Sequence, residues 1–223
     1  MTVKLAISNA GKRYGNFDAL LDCSFDVAEN TIVSIVGPSG CGKTTLLWSM
    51  SGLHGLTQGE VLLDGAAIKG PHPEIGLVFQ DANLLPWRNL MDNILFPFEI
   101  KKTKPDMEWI DHLMGRVGLK GFETRFPREL SGGMQQRASI ARALATQPRF
   151  LICDEPTSAL DVVVQRQVME TLGRSQEEIG AALILVGHDM GLMAQMVDRI
   201  AVMYSGKIVE IAPVHDIFAK PAH

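Results

Sequence analysis

The chain has 223 residues, 46% of them hydrophobic, and a formal net charge of −4 with the signs mixed along its length. A chain of this size forms one or two domains and buries roughly 70% of its unfolded surface without a covalent staple. The absence of a basic run argues against a nucleic-acid partner and confines positive potential to local sites. Three cysteines, Cys23, Cys41 and Cys153, are odd in number and lack CxxC spacing. They suggest neither a disulfide framework nor a zinc site, and they fit a reducing cytoplasm. Residues 1–9 lack the apolar stretch of a signal peptide, and no apolar run approaches the ~18 residues of a membrane span, so a soluble protein is expected.

In chain order, residues 3–9 alternate, residues 11–15 read as a break, and residues 19–27 form a second extended stretch. Together they predict a β-rich N-terminal layer. An apolar strand at 31–36 then meets a glycine-rich turn and a helix start. Residues 52–59 are turn-like, 60–63 a strand ending in Asp64-Gly65, and 75–79 a short apolar strand that delivers Gln80. From 81 to about 148 the composition changes, with Pro86, Pro97, Pro105 and Pro127 punctuating helical patterns such as 106–117 and 134–145. This predicts a helical insert. The buried-strand run 150–154, a helix from 162 to about 178 closed by Gly180, and the strand 182–186 resume an alternation that implies a parallel sheet. A hairpin, 200–204 with 208–211, and a helical turn at 216–219 complete the chain, which ends at Pro221-Ala222-His223 with no sizeable regulatory domain expected beyond it.

Gly37-Pro38-Ser39-Gly40-Cys41-Gly42-Lys43-Thr44-Thr45 satisfies GxxxxGK[ST] with a strand before it and a helix after it. Its glycines let backbone N–H groups point inward at a triphosphate on the positive end of a helix dipole. Lys43 adds a point charge toward the β and γ phosphates, and the Thr44 hydroxyl suits Mg²⁺. The Cys41 thiol is expected inside this cradle, where Lys43 and the helix N-terminus favour thiolate; the alternative is a side chain facing away. Asp154 and Glu155 follow a strand at its carboxyl end, where open parallel sheets bind ligands. Asp154 is placed to hold Mg²⁺ through water, and Glu155 to accept a proton from an attacking water. Two carboxylates at an exposed strand end are the plainer reading. Ser131-Gly132-Gly133, before the helical pattern, forms a second anion site or merely a flexible cap.

Beside one another, Gly37 to Thr45, Gln80, residues 130–137 (Leu-Ser-Gly-Gly-Met-Gln-Gln-Arg), Asp154-Glu155, residues 158–161 and His188 resemble the nucleotide-binding subunit of an ABC transporter over essentially the whole chain. The resemblance implies an α/β P-loop NTPase with a RecA-like parallel-sheet core, an N-terminal antiparallel β layer and a helical subdomain. Residues 1–223 would form a single nucleotide-binding domain, with 1–82 and 149–223 as β layer and core and 83–148 as helical subdomain. It implies that Tyr14 stacks on adenine, although a half-buried strand-end tyrosine is the bland alternative. It further implies that Gln80 touches Mg²⁺ and the attacking water, and that His188 bonds the γ-phosphate and orients Glu155. Gln135 joins Ser131, Gly132 and Gly133 among the nucleotide-binding positions, and Asp161 closes the loop facing a partner subunit while also suiting a helix N-cap. Gly187 stands where members of the family usually carry threonine or serine.

The same resemblance implies catalysed ATP hydrolysis with Mg²⁺ in a head-to-tail dimer, each ATP lying between one chain's Lys43 loop and the other chain's Ser131 segment. Separate transmembrane permease subunits and a substrate-binding protein would be the partners, at the cytoplasmic face of the inner membrane. Residues 83–94 are similar to importers of nitrate, sulfonates and taurine, whereas residues 160–165 and 202–210 look more like oligopeptide-importer ATPases. A cell-division cassette signalling through a membrane partner is the alternative. GTPases are disfavoured for want of an Asn-Lys-x-Asp reader, and a small-molecule kinase would not need the Ser131 cradle.

Overall fold

Two alternating stretches near the N-terminus pair as a long hairpin, β1 (Val3–Tyr14) and β2 (Phe17–Ala28), in the computed structural model, which describes residues 2–158, 160–187 and 190–222. The break expected at 11–15 shrinks to a turn at Gly15, whose φ of +58° suits glycine. Register shifts along β1 absorb Gly11, and the strand ends are fastened by Tyr14 opposite Phe17 and by an Arg13–Asp18 ion pair at 2.8 Å. The next strand, β3 (Ile32–Val36), leaves this layer and feeds α1 (Lys43–Met50). The chain returns as β4 (Gln58–Leu63) and β5 (Ala66–Ala67) through Asp64 and Gly65, both with positive φ as tight hairpins require. The layer is antiparallel, in the order β2-β1-β4-β5.

The second sheet, which β3 enters first, takes up the chain again at its edge strand β6 (Ile75–Val78). Helices α2 (Leu90–Lys101), α3 (Met107–Arg116) and α4 (Gly132–Leu144) follow, and then β7 (Phe150–Asp154). Polar caps start each helix: Asn89 accepts from the Asp92 N–H, Asp106 from Glu108 and Trp109, and Ser131 from Met134. Pro97, expected to punctuate, lies inside α2. Its ring removes one helical N–H, and α2 is held instead by the buried Asn93 amide, which donates to Leu85, Arg88 and Asn89 carbonyls and accepts from the Leu85 N–H. The chain closes with α5 (Val162–Ile179), β8 (Ala182–Val186), α6 (Met190–Met193), β9 (Arg199–Tyr204), β10 (Lys207–Pro213) and α7 (Val214–Ala219). Strand order is β10-β9-β3-β8-β7-β6, parallel throughout except for the β9–β10 hairpin.

The central sheet is buried on both faces, as continuous apolar strands demand. Period-2 alternation sends Val33, Ile35, Phe150, Ile152, Ile184 and Val186 toward α1 and the antiparallel layer. Leu151, Cys153, Leu183 and Leu185 point the other way, into the side chains of α4 and α5. A buried cation ties the layers at one end. The Lys4 ammonium donates to Asp64 at 2.9 Å and to Glu29 at 3.2 Å, and Asp64 also accepts from Arg149, just before β7, at 3.1 Å. Burial pushes the Lys4 pKa down, but the bonds to Asp64 and Glu29 outweigh it and leave a net rise; the same Lys4 bond holds Asp64 below the usual carboxylate range. Among the described residues no helix is long and apolar enough to cross a membrane.

Candidate functional site

The turn between β3 and α1 forms where the backbone passes too close to its neighbours for side chains. A Cβ on Gly37 would lie 2.1 Å from the Met203 carbonyl oxygen, and one on Gly42, at φ +109°, would lie 2.5 Å from the Ala19 oxygen. Glycine is therefore required at both positions. The turn rests on the β9–β10 hairpin, whose Gly206 N–H donates to the Cys41 oxygen at 2.9 Å. Within the turn the Lys43 ammonium donates to the Gly37 and Pro38 oxygens at 2.8 and 3.0 Å, which fixes a positive charge in the loop.

A cleft of about 620 Å³ opens over this turn, lined by Gly37, Ser39, Gly40, Gly42, Lys43, Thr44 and Thr45, together with Gln80 and Glu155. Residues 118 positions apart in sequence, Gly37 and Glu155, thus share one cavity because β3, β6 and β7 all end at the same sheet edge. The Thr44 hydroxyl hydrogen-bonds Asp154. Burial raises the Asp154 pKa and the Glu155 charge adds to the rise, while Thr44 and Lys43 oppose it. Glu155, just beyond β7, adopts φ +44°, uncommon for a residue with a side chain, and lines the cleft. Its N–H still donates to the Val186 oxygen at 3.0 Å, and its own oxygen accepts from the Ser158 N–H and hydroxyl, each at 3.2 Å.

Several expected positions lie elsewhere. The Cys41 thiol is buried in the core beneath the turn with Leu46 and Met203 rather than in the cradle, because the left-handed glycines on either side direct it inward. Ser131, Gly132, Gly133 and Gln135 do not line the Lys43 cleft. Ser131 caps α4, and the Gln135 amide donates back to the Pro127 and Leu130 oxygens at 3.0 and 3.1 Å, bracing the loop. Gly133 is packed so closely on α5 that a Cβ would lie 2.5 Å from Val164. Asp161 caps α5 through the Val164 N–H at 3.0 Å. Tyr14 is not among the cleft's lining, and its hydroxyl is bonded to His54. Phe17 and Ala19 do line it, a pair that sequence reading passed over because an exposed aromatic after a turn carries no periodic signal. His188 lies outside the described residues.

The ABC transporter family model matches residues 20–158. The sulfate/thiosulfate import ATP-binding protein CysA of Nocardia farcinica is 39% identical over 225 residues, covering 98% of this chain and 68% of that protein. Further curated relatives are named as import ATP-binding proteins for spermidine/putrescine and for methionine; the chain spans 61% to 68% of the length of these relatives. Among solved structures, cbiO1 from Clostridium perfringens, part of the ABC transporter complex cbiONQ, superposes with a TM-score of 0.88 at 25% identity, over 99% of this chain and 92% of that one. A dimeric ATP-binding cassette in a post-hydrolysis state with ADP and Pi gives 0.82 at 30% identity, over 94% and 98%. A glycine turn seated on a parallel sheet, an acidic pair at the end of another strand of that sheet and these likenesses agree, and the chain belongs to the ABC transporter family.

Proposed function

We propose that the chain is the ATP-hydrolysing subunit of an importer, working as a head-to-tail dimer beneath separate membrane permease subunits, with a substrate-binding protein in the complex, at the cytoplasmic face of the inner membrane. The observation that carries this reading is the division of the motifs. Lys43, Thr44, Gln80 and Glu155 share one cleft, while the Ser131 to Gly133 cradle lies outside it. A second copy laid head to tail supplies that cradle to the first copy's cleft, so each nucleotide is held between chains. Residues 83–148 form the helical subdomain in this reading, and the remainder the β layer and core.

Within the cleft the roles follow from chemistry. Inward-facing backbone N–H groups and Lys43 hold the triphosphate. The Thr44 hydroxyl, the Asp154 carboxylate and the Gln80 amide oxygen are hard donors that fit Mg²⁺, which neutralises phosphate charge when bound. Glu155, which lines the cleft, takes the proton from water, and Tyr14 stacks on the base. His188 is read as the residue that orients Glu155, and Asp161 as the one that meets the partner chain. The import reading is preferred to the cell-division alternative because the named relatives are import ATP-binding proteins. Their substrates are chemically unlike, and the finer likenesses of residues 83–94 to nitrate, sulfonate and taurine importers and of 160–165 and 202–210 to oligopeptide importers divide in the same way, so substrate choice is assigned to the membrane and binding-protein partners.

Mixing two inactive variants, Lys43→Ala and Ser131→Arg, tests the dimer. Each mixed dimer keeps one intact site, so a γ-phosphate photoprobe should crosslink the chain that lacks the lysine. Crosslinking only within the chain carrying Lys43, at every mixing ratio, would refute the shared site.

A further inference from the structure

We propose that His54 is a positioning residue that presents Tyr14 to the nucleotide base, acting through a hydrogen bond to the tyrosine hydroxyl; the proposal rests on the reading of Tyr14 as the base-stacking aromatic. Tyr14 ends β1 at a two-residue turn, directly opposite Phe17, and Phe17 lines the Lys43 cleft, so the hairpin tip stands beside the phosphate loop. A tyrosine at such a tip, 42% exposed, has rotamer freedom that a ligand would have to quench on binding.

Here that freedom is removed by the connection between α1 and β4. The Tyr14 hydroxyl and His54 Nδ1 are 2.8 Å apart, with the rings edge-on at 6.2 Å and 70°. Either partner serves as donor depending on the imidazole tautomer, so the link survives in both forms. His54 is itself fixed. Its ring meets Trp48 of α1 edge-on at 4.8 Å, and its backbone N–H donates to the Trp48 carbonyl oxygen at 3.1 Å. The Lys12 ammonium, anchored on the Gly55 oxygen, sits 5.1 Å from the Tyr14 ring centroid. Two further links, Arg13 N–H to Thr57 Oγ1 at 3.0 Å and Thr57 N–H to the Gly11 oxygen at 2.8 Å, hold the strand end to the same segment.

The tyrosine hydroxyl is thus pinned and one ring face lies under Lys12, which leaves the opposite face for a base. Helix α1 also begins at Lys43, so one rigid element sets both the phosphate contacts and, through Trp48 and His54, the aromatic at the far end of the nucleotide. Base and phosphate subsites are therefore held at a fixed separation.

The test measures equilibrium dissociation constants of the full chain for ATP, and for inorganic tripolyphosphate by competition. His54→Ala and Tyr14→Phe should each weaken ATP about three- to tenfold, the loss of one hydrogen bond. The double variant should be no weaker than either single one, and His54→Asn, which keeps a polar atom near the Nδ1 position, should recover most of the affinity. Tripolyphosphate affinity should be unchanged in all of them. An equal loss for tripolyphosphate would show that His54 supports the phosphate loop as a whole, and additive losses would show that it does not act through Tyr14; either overturns the proposal. Tyr14→Ala separates the two layers of inference. If it leaves ATP affinity intact, the base-stacking reading itself fails; if it weakens ATP while His54→Ala does not, Tyr14 keeps its role and the proposal for His54 falls.

Discussion

Gly187 and Met193 are expected to behave as one unit. A Cβ at position 187 would lie 1.9 Å from Met193 Cε and 3.3 Å from its Sδ. Carbon contacts settle near 3.5–4 Å, so Gly187→Ala must displace the thioether end by about 1.5–2 Å. Met193 is buried, and its sulfur accepts from the Ser34 hydroxyl at 3.0 Å, on a serine with 0% exposure. Overpacking of this kind costs about 1–3 kcal/mol, and orphaning the serine adds about 1 kcal/mol. The sum of about 2–4 kcal/mol corresponds to a melting temperature lower by about 4–15 °C for a chain of this size. Met193→Ala alone should cost about 2–5 kcal/mol through its cavity. In the double variant the new methyl enters the vacated space, so the two losses should fall short of their sum by about 1–3 kcal/mol. Urea unfolding of the four proteins, followed by circular dichroism, measures this coupling. Additivity to within about 0.5 kcal/mol would refute the account.

Three other outcomes are expected. Glu155→Gln should bind ATP and accumulate a nucleotide-dependent dimer while turnover falls about 10²–10⁴-fold; near-normal phosphate release would remove Glu155 as the base. The Cys41 thiol, buried beneath the turn, should resist iodoacetamide in the native protein with or without ATP and label once the chain is unfolded in urea; labelling of the native protein that ATP suppresses would show that it faces the cradle. The bond from Lys4 holds the Asp64 pKa below its unfolded value, so its stabilising contribution is complete above the ordinary carboxylate range and lost as pH falls below about 4. Asp64→Asn should therefore narrow the stability difference from the parent protein as urea midpoints are measured down through that window; parallel curves would show that the Lys4 bond contributes nothing.

Strands β7 and β8 are legible in sequence to the residue, because uninterrupted apolar runs between polar breakers have no other stable use in a chain of this length. The helices that begin at Asp106, Ser131 and Asp161 are nearly as legible, since each cap is a short polar side chain set before a periodic apolar pattern. Helix α2 is not, because Pro97 reads as a stop while the compensating Asn93 bonds reach loop carbonyls that no local pattern announces. Nor is the direction of the Cys41 side chain, set by glycine dihedrals rather than by any periodicity. The partners of Lys4 lie 25 and 60 residues away, and the Tyr14–His54 bond spans 40, so both depend on how sheets stack. In the cleft, the membership of Lys43, Thr44, Gln80 and Glu155 follows from strand ends, whereas Phe17 enters only through the tilt of the hairpin over the loop.

If each nucleotide is held between two chains, as proposed above, the separation of the Ser131 cradle from the Lys43 cleft has a genetic corollary. Where intact and defective copies are made in equal amounts and pair at random, about a quarter of the pairs contain two intact chains. Every other pair has at least one damaged pocket, whichever cradle the lesion strikes. An assembly that needs both pockets would retain about a quarter of its capacity rather than half. Alleles that merely disable one chain would then behave as dominant, and would do so in proportion to how well their products still fold and pair.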